Sequence, residues 1–216
     1  IVSNCDIGIT KGKPAELPLA YGGNNHGSII EIAGNWYIFY HRQTNGTWYS
    51  RQVCAEKIEI LPDGRIPQVE LTSCGLNGGP LPGKGTYGGY LACNLFTDKP
   101  MPYVGGDAFP KIMQDGRDGD EEPGYIGNIK NNATAGFKYF DFKGVKAISI
   151  TTRGYADGEF EVRTEREGEV LAKIKVEYTN VWETYRSEVS IPDGVGAIYL
   201  TYKGNGNASL LQFTLE

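Results

Sequence analysis

The chain has 216 residues, 22% of them charged and 40% apolar, with a formal net charge of −5. Its 30 Gly and 11 Pro interrupt helices, while 14 Tyr, 8 Phe and 3 Trp supply enough buried surface to oppose disorder. With no basic cluster for nucleic acid or an anionic membrane surface, and no apolar run near the roughly 20 residues of a membrane helix, what remains is a turn-rich, all-β protein.

The sequence begins Ile1-Val2-Ser3-Asn4 with neither an initiating Met nor a leader, and reads as a mature chain or an excised piece. Ile29-Ile30-Glu31-Ile32, Gly34-Asn35 and Trp36-Tyr37-Ile38-Phe39-Tyr40 predict a hairpin around a tight turn. Glu31 alternates with isoleucines and reads as part of a solvated strand face. Residues 51–60 and 66–71 flank a second turn at Pro62-Asp63-Gly64. From Ser73 to Gly89 glycine and proline crowd out periodic apolar residues, which predicts a connector rather than an element. A domain boundary is expected over 94–106, where Pro100, Pro102, Gly105 and Gly106 gather.

After the acidic loop Asp115–Glu122 the alternation becomes regular. Phe160 and Val162 alternate with Glu159, Glu161 and Arg163, and Ile174 and Val176 with Lys173, Lys175 and Glu177. Turns recur at Asp157-Gly158, Glu167-Gly168, Asp193-Gly194 and Gly204-Asn205, the spacing of a β-sandwich with one polar face. The acidic loop has oxygen ligands but lacks the fixed spacing of a calcium loop, so it reads as solvated. Cys5, Cys54, Cys74 and Cys93 form no CxxC or Cys/His cluster and read as buried free thiols.

Tyr21-Gly22-Gly23-Asn24-Asn25-His26-Gly27-Ser28, the Gly34–Arg42 run, Ser50-Arg51-Gln52, Ile66-Pro67-Gln68-Val69-Glu70 and Thr72–Leu81 resemble the last part of the catalytic domain of glycoside hydrolase family 43. That domain is a five-bladed β-propeller, and the family includes arabinofuranosidases and xylosidases acting on arabinoxylan. Tyr125-Ile126-Gly127-Asn128-Ile129, Gly136–Phe142 and the ending Ala208–Glu216 resemble a carbohydrate-binding module of family 6, a jelly-roll β-sandwich. The expected organisation is therefore propeller remnant and connector over 1–93, linker over 94–106 and sandwich over 107–216. A propeller blade takes about 40–50 residues, so this segment supplies about the last blade. The remaining blades belong to another chain or to a longer protein.

Inverting glycoside hydrolysis needs a carboxylic acid on the leaving oxygen and a carboxylate on the attacking water. In family 43 these residues, with a third carboxylate that tunes them, come from earlier blades. No catalytic residue is carried over here, and the chain alone is expected to be inactive. The resemblance assigns His26 to the propeller axis beneath the sugar pocket, near a calcium ion or its water shell, with Asn25 and Arg42 as further active-site support. Family 6 modules hold a sugar between a Tyr and a Trp, which fall at Tyr139 and Trp182. Where the family carries an Asn this chain has Ser209, with Asn207 two residues earlier. The implied partner is arabinoxylan or another xylan-type polysaccharide, the implied cofactor calcium, and the implied setting secreted or periplasmic in a bacterium. The alternative reading is a non-catalytic xylan-binding or purely structural sandwich.

Overall fold

A computed structural model describes residues 1–2, 26–47, 49–97, 109–116 and 123–216. Their regular structure is β-strand, apart from single 3₁₀ turns at Gly75–Asn77 and Gly89–Leu91. The first unit is an antiparallel sheet of β1 (Ser28–Ile32), β2 (Asn35–Gln43) and β3 (Arg51–Ile58), in that order. Its hairpin turns through Ala33 (φ 50°) and Gly34 (φ 77°), one residue earlier than the Gly34-Asn35 expected. Both central residues are left-handed, and such a primed turn matches the twist of the paired strands.

The second unit is the sandwich. Its short strands are β4 (Leu81–Pro82), β5 (Gly85–Gly88), β6 (Asn94–Phe96), β7 (Lys111–Met113) and β8 (Tyr125–Ile129). The longer ones are β9 (Thr134–Phe142), β10 (Ala147–Arg163), β11 (Ala172–Val176), β12 (Thr179–Glu188) and β13 (Gly194–Leu215). Strands β10 and β13 run antiparallel along their length and change outer partners halfway. One half of β10 pairs with β12 and the other with β11, while β13 pairs first with β9 and then with β8 and β5. Register shifts at Thr151/Thr152 and between Thr152 and Gly154 mark where β10 bends between layers.

The alternation read from the sequence is the alternation of burial. Phe160, Val162, Ile174 and Val176 point into a core built around Phe137, Phe140, Tyr202 and Phe213, while Lys173, Lys175 and Glu177 stay exposed. Glu161 departs from the pattern. It is buried on the other face, where Arg163 pairs with it at 2.7 Å.

The expected domain limits need correction. The glycine-rich stretch is not a bare connector, since β5 pairs with β13 with Tyr87 opposite Phe213, and β6 pairs with β9 with Leu95 opposite Ala135. Tyr87, Ala92 and Leu95 belong to the sandwich core, so the sandwich takes in chain from residue 81 onward, and Asn94–Phe96 is a buried strand rather than the start of a linker. Close approach explains the glycines: a Cβ on Gly83 would run into the Asp141 carbonyl, and one on Gly89 into that of Leu210. A second, smaller core of Tyr40, Leu71, Cys93 and Phe96 joins the blade sheet to the sandwich. Cys54, Cys74 and Cys93 are free thiols, and burial pushes that of Cys93 up to about 11.

Candidate functional site

At the blade end, His26 is exposed and its ring lies 4.6 Å from that of His41, tilted by 58°. A Cβ on the next residue, Gly27, would collide with the Phe39 carbonyl, so this segment lies hard against β2. Asn25 lies outside the described residues. Among the described residues no group of three or more His, Cys, Asp or Glu side chains converges. Most of the acidic loop, residues 117–122, lies outside the described residues, and Asp115 at its start is engaged elsewhere.

Arg42 lies in the junction between blade and sandwich. Its Nη atoms donate to the carbonyls of Tyr90 and Ala92, and Nε donates to Gln52 Oε1 at 2.7 Å. Gln52 Nε2 in turn donates to the Tyr90 carbonyl at 3.1 Å. Beside this contact is a cavity of about 260 Å³ lined by Tyr40, Arg42, Cys54, Leu71, Tyr90 and Cys93. Glu56, on the neighbouring strand β3, accepts hydrogen bonds from Tyr40 and Thr72.

Tyr139 also belongs to the junction. Its hydroxyl donates to Glu70 Oε2 at 2.8 Å, and the Lys138 ammonium pairs with Oε1 of the same carboxylate. Burial, and then the adjacent Glu70 carboxylate, push the Tyr139 phenol up to about 12. It therefore does not face Trp182. Strand β9, which carries Tyr139, and strand β12, which carries Trp182, pair with different halves of the β10–β13 ribbon.

The ring that does face Trp182 is Tyr125, at the start of β8, with centroids 5.3 Å apart and an edge-on angle of 68°. Arg153 from β10 completes the group. Its guanidinium carbon is 4.2 Å from the Trp182 centroid and 5.1 Å from that of Tyr125. Asp115 anchors this arrangement, accepting from Arg153 Nη2 at 2.7 Å and from the Tyr125 hydroxyl at 3.0 Å. Asn207 lies opposite Tyr155 in the β10–β13 register, and its Nδ2 donates to Asn128 Oδ1 at 3.2 Å. Tyr125 opens the Tyr125–Ile129 motif, but the partners that single it out come from β10 and β12 and leave no local mark in the sequence. Arg153 carried no signal, because a cation in a strand of threonines reads as solvated.

Residues 113–215 match the model of the carbohydrate binding module (family 6). The whole chain is 60% identical over 221 residues to a xylosidase/arabinosidase of Thermoclostridium stercorarium, and spans 47% of that relative's length. In fold, it is similar to a glycoside hydrolase family 43 arabinoxylan arabinofuranohydrolase from Bacillus subtilis, solved with cellotetraose. That match has a TM-score of 0.57 at 19% identity and covers 90% of this chain and 41% of that one. A family 6 module from Clostridium stercorarium, solved with cellobiose, matches at a TM-score of 0.52 and 18% identity, over 64% of this chain and 98% of the module. Residues 113–215 are thus similar to family 6 carbohydrate-binding modules, and the chain as a whole is similar to about half of a xylosidase/arabinosidase and, in fold, to part of a family 43 arabinoxylan arabinofuranohydrolase.

Proposed function

We propose that this chain is the closing part of a bacterial, secreted or periplasmic glycosidase of the xylosidase/arabinosidase kind, and that its sandwich holds xylan-type polysaccharide against the catalytic domain. The observation that carries this reading is the junction. Blade and sandwich are joined by a shared core and by the Arg42, Gln52 and Glu70 hydrogen bonds rather than by a bare tether. A polymer bound to the sandwich is then held at a fixed distance from the propeller, which raises its local concentration there. The general acid and base of inverting hydrolysis would come from blades this chain does not match, in the rest of a longer protein or in a second chain. A calcium ion at the propeller axis near His26 would belong to the same complete assembly and orient that pocket.

Affinity electrophoresis in soluble arabinoxylan tests the binding half of this reading. The chain is expected to be retarded relative to a polysaccharide-free gel, and unchanged mobility favours a purely structural module. Incubated alone with arabinoxylan, the chain is expected to release no arabinose or xylose. Release that persists in the purified chain would place a complete acid/base pair within these residues and overturn the proposed division of labour.

A further inference from the structure

In this module the Arg153 guanidinium lies over one face of Trp182 and beside Tyr125, and Asp115 fastens it there, accepting from both Arg153 and the Tyr125 hydroxyl. A ring stacking on that face would have to displace a guanidinium and break its ion pair. Next to the slot lies a different aromatic surface. Tyr155 and Tyr178 stack with centroids 4.8 Å apart and planes 22° from parallel, and they are 76% and 56% exposed.

Register sets this pair beside the slot. Gly154 lies opposite Thr179, so Arg153 and Tyr155 flank one end of that pairing and Tyr178 precedes the other. The support beneath is tight. Gly206 (φ 80°) has no room for a Cβ against the Tyr155 carbonyl, nor Gly154 (φ 125°) against that of Asn207. These two glycines let β10 and β13 approach closely under the Tyr155 ring, so the platform stands on the best-paired strands of the sandwich. Single exposed aromatics are ordinary, but here each ring braces the other and leaves an outer aromatic face open, with a hydroxyl at its rim. That chemistry suits the flat C–H face of a neutral sugar and the hydroxyls around it.

We propose that the Tyr155–Tyr178 pair is the polysaccharide contact of this module, taking a neutral xylan-type chain in place of the slot that Arg153 fills. The proposal rests on the polysaccharide reading given above. Its test is affinity electrophoresis of the full chain in soluble arabinoxylan, comparing the parent with Tyr155→Ala/Tyr178→Ala, Tyr155→Phe/Tyr178→Phe and Trp182→Ala, each first matched to the parent by circular dichroism and thermal melting. The double alanine variant is expected to bind about tenfold more weakly, the phenylalanine variant to keep most of the retardation, and Trp182→Ala to stay within about twofold of the parent. Retardation unchanged in the double alanine variant, or lost to the same extent in Trp182→Ala, overturns the platform and leaves the polysaccharide reading standing. No retardation of the parent overturns that reading, and the platform falls with it.

Discussion

Glu56 is enclosed at the junction, where Tyr40 and the Thr72 N–H donate to its Oε1 at 3.1 and 2.8 Å, and the Thr72 hydroxyl to Oε2 at 2.7 Å. Burial outweighs these bonds and pushes its carboxyl from the ordinary 4.5 up to about 7. Between those two values the native chain keeps a proton that the unfolded chain has released. The stabilisation from the neutral acid is therefore full below about pH 4.5 and is lost as pH rises toward about 7, to an extent on the order of 3 kcal/mol. The urea midpoint is expected to fall between pH 5 and pH 8. Glu56→Gln, which imitates the neutral acid, should flatten that dependence, and an equally steep profile in the variant would assign it to another group. None of this was legible beforehand: by sequence Glu56 is one polar residue in a run of mixed strand residues, and only its neighbours from residues 40 and 72 enclose it.

Among the elements, the decisive relation is that of β2 to the 3₁₀ turn Gly89–Leu91 and the residue after it. The Arg42 guanidinium presents donors to two carbonyls and a side-chain amide at once, a use that matches its planar fork. The loop between β2 and β3 adds a second stitch. The Asn45 N–H donates to the Ile112 carbonyl at 2.8 Å, and its Oδ1 accepts from the Gln114 N–H at 2.9 Å. Arg42→Ala takes the guanidinium donor from the Ala92 carbonyl and leaves that of Tyr90 with Gln52 alone, and it is expected to cost about 1–3 kcal/mol in urea unfolding. Arg42→Lys should recover only a minor part, because one ammonium cannot span the same partners. Full recovery by Lys would mean that charge alone holds the junction. Arg42 was legible as important but not as structural, since its partners lie some fifty residues away in a stretch that composition marks as a connector.

Across the whole molecule stability is unevenly spread. Strands β10 and β13 lie at the centre of the sandwich and carry most of its fully buried side chains. Strand β1 is exposed throughout, with Ile29, Ile30 and Ile32 accessible to solvent along with Trp36 and Val53 of the adjoining strands. A propeller blade buries such faces against its neighbours, and a blade unit on its own does not. Amide hydrogen exchange is expected to be fastest in β1 and slowest in β10 and β13, with protection differing by at least about a thousandfold. Uniform protection would show that blade and sandwich open as one unit.

The amino-acid sequence by itself determined the all-β class, the alternation of the sandwich strands and the two families that the chain resembles. Those properties belong to neighbouring residues, because a side-chain period of two and a run of motif residues need no knowledge of distant contacts. Tertiary structure alone decided that residues 81–96 build part of the sandwich, that Arg42 and Tyr139 serve the junction, and that Trp182 faces Tyr125 and Arg153. Each of these depends on which strands pair and in what register: β12 pairs with β10, and β8 joins them through β13. A glycine that marks a turn and a glycine that lets two backbones touch are the same letter, and only the fold tells them apart.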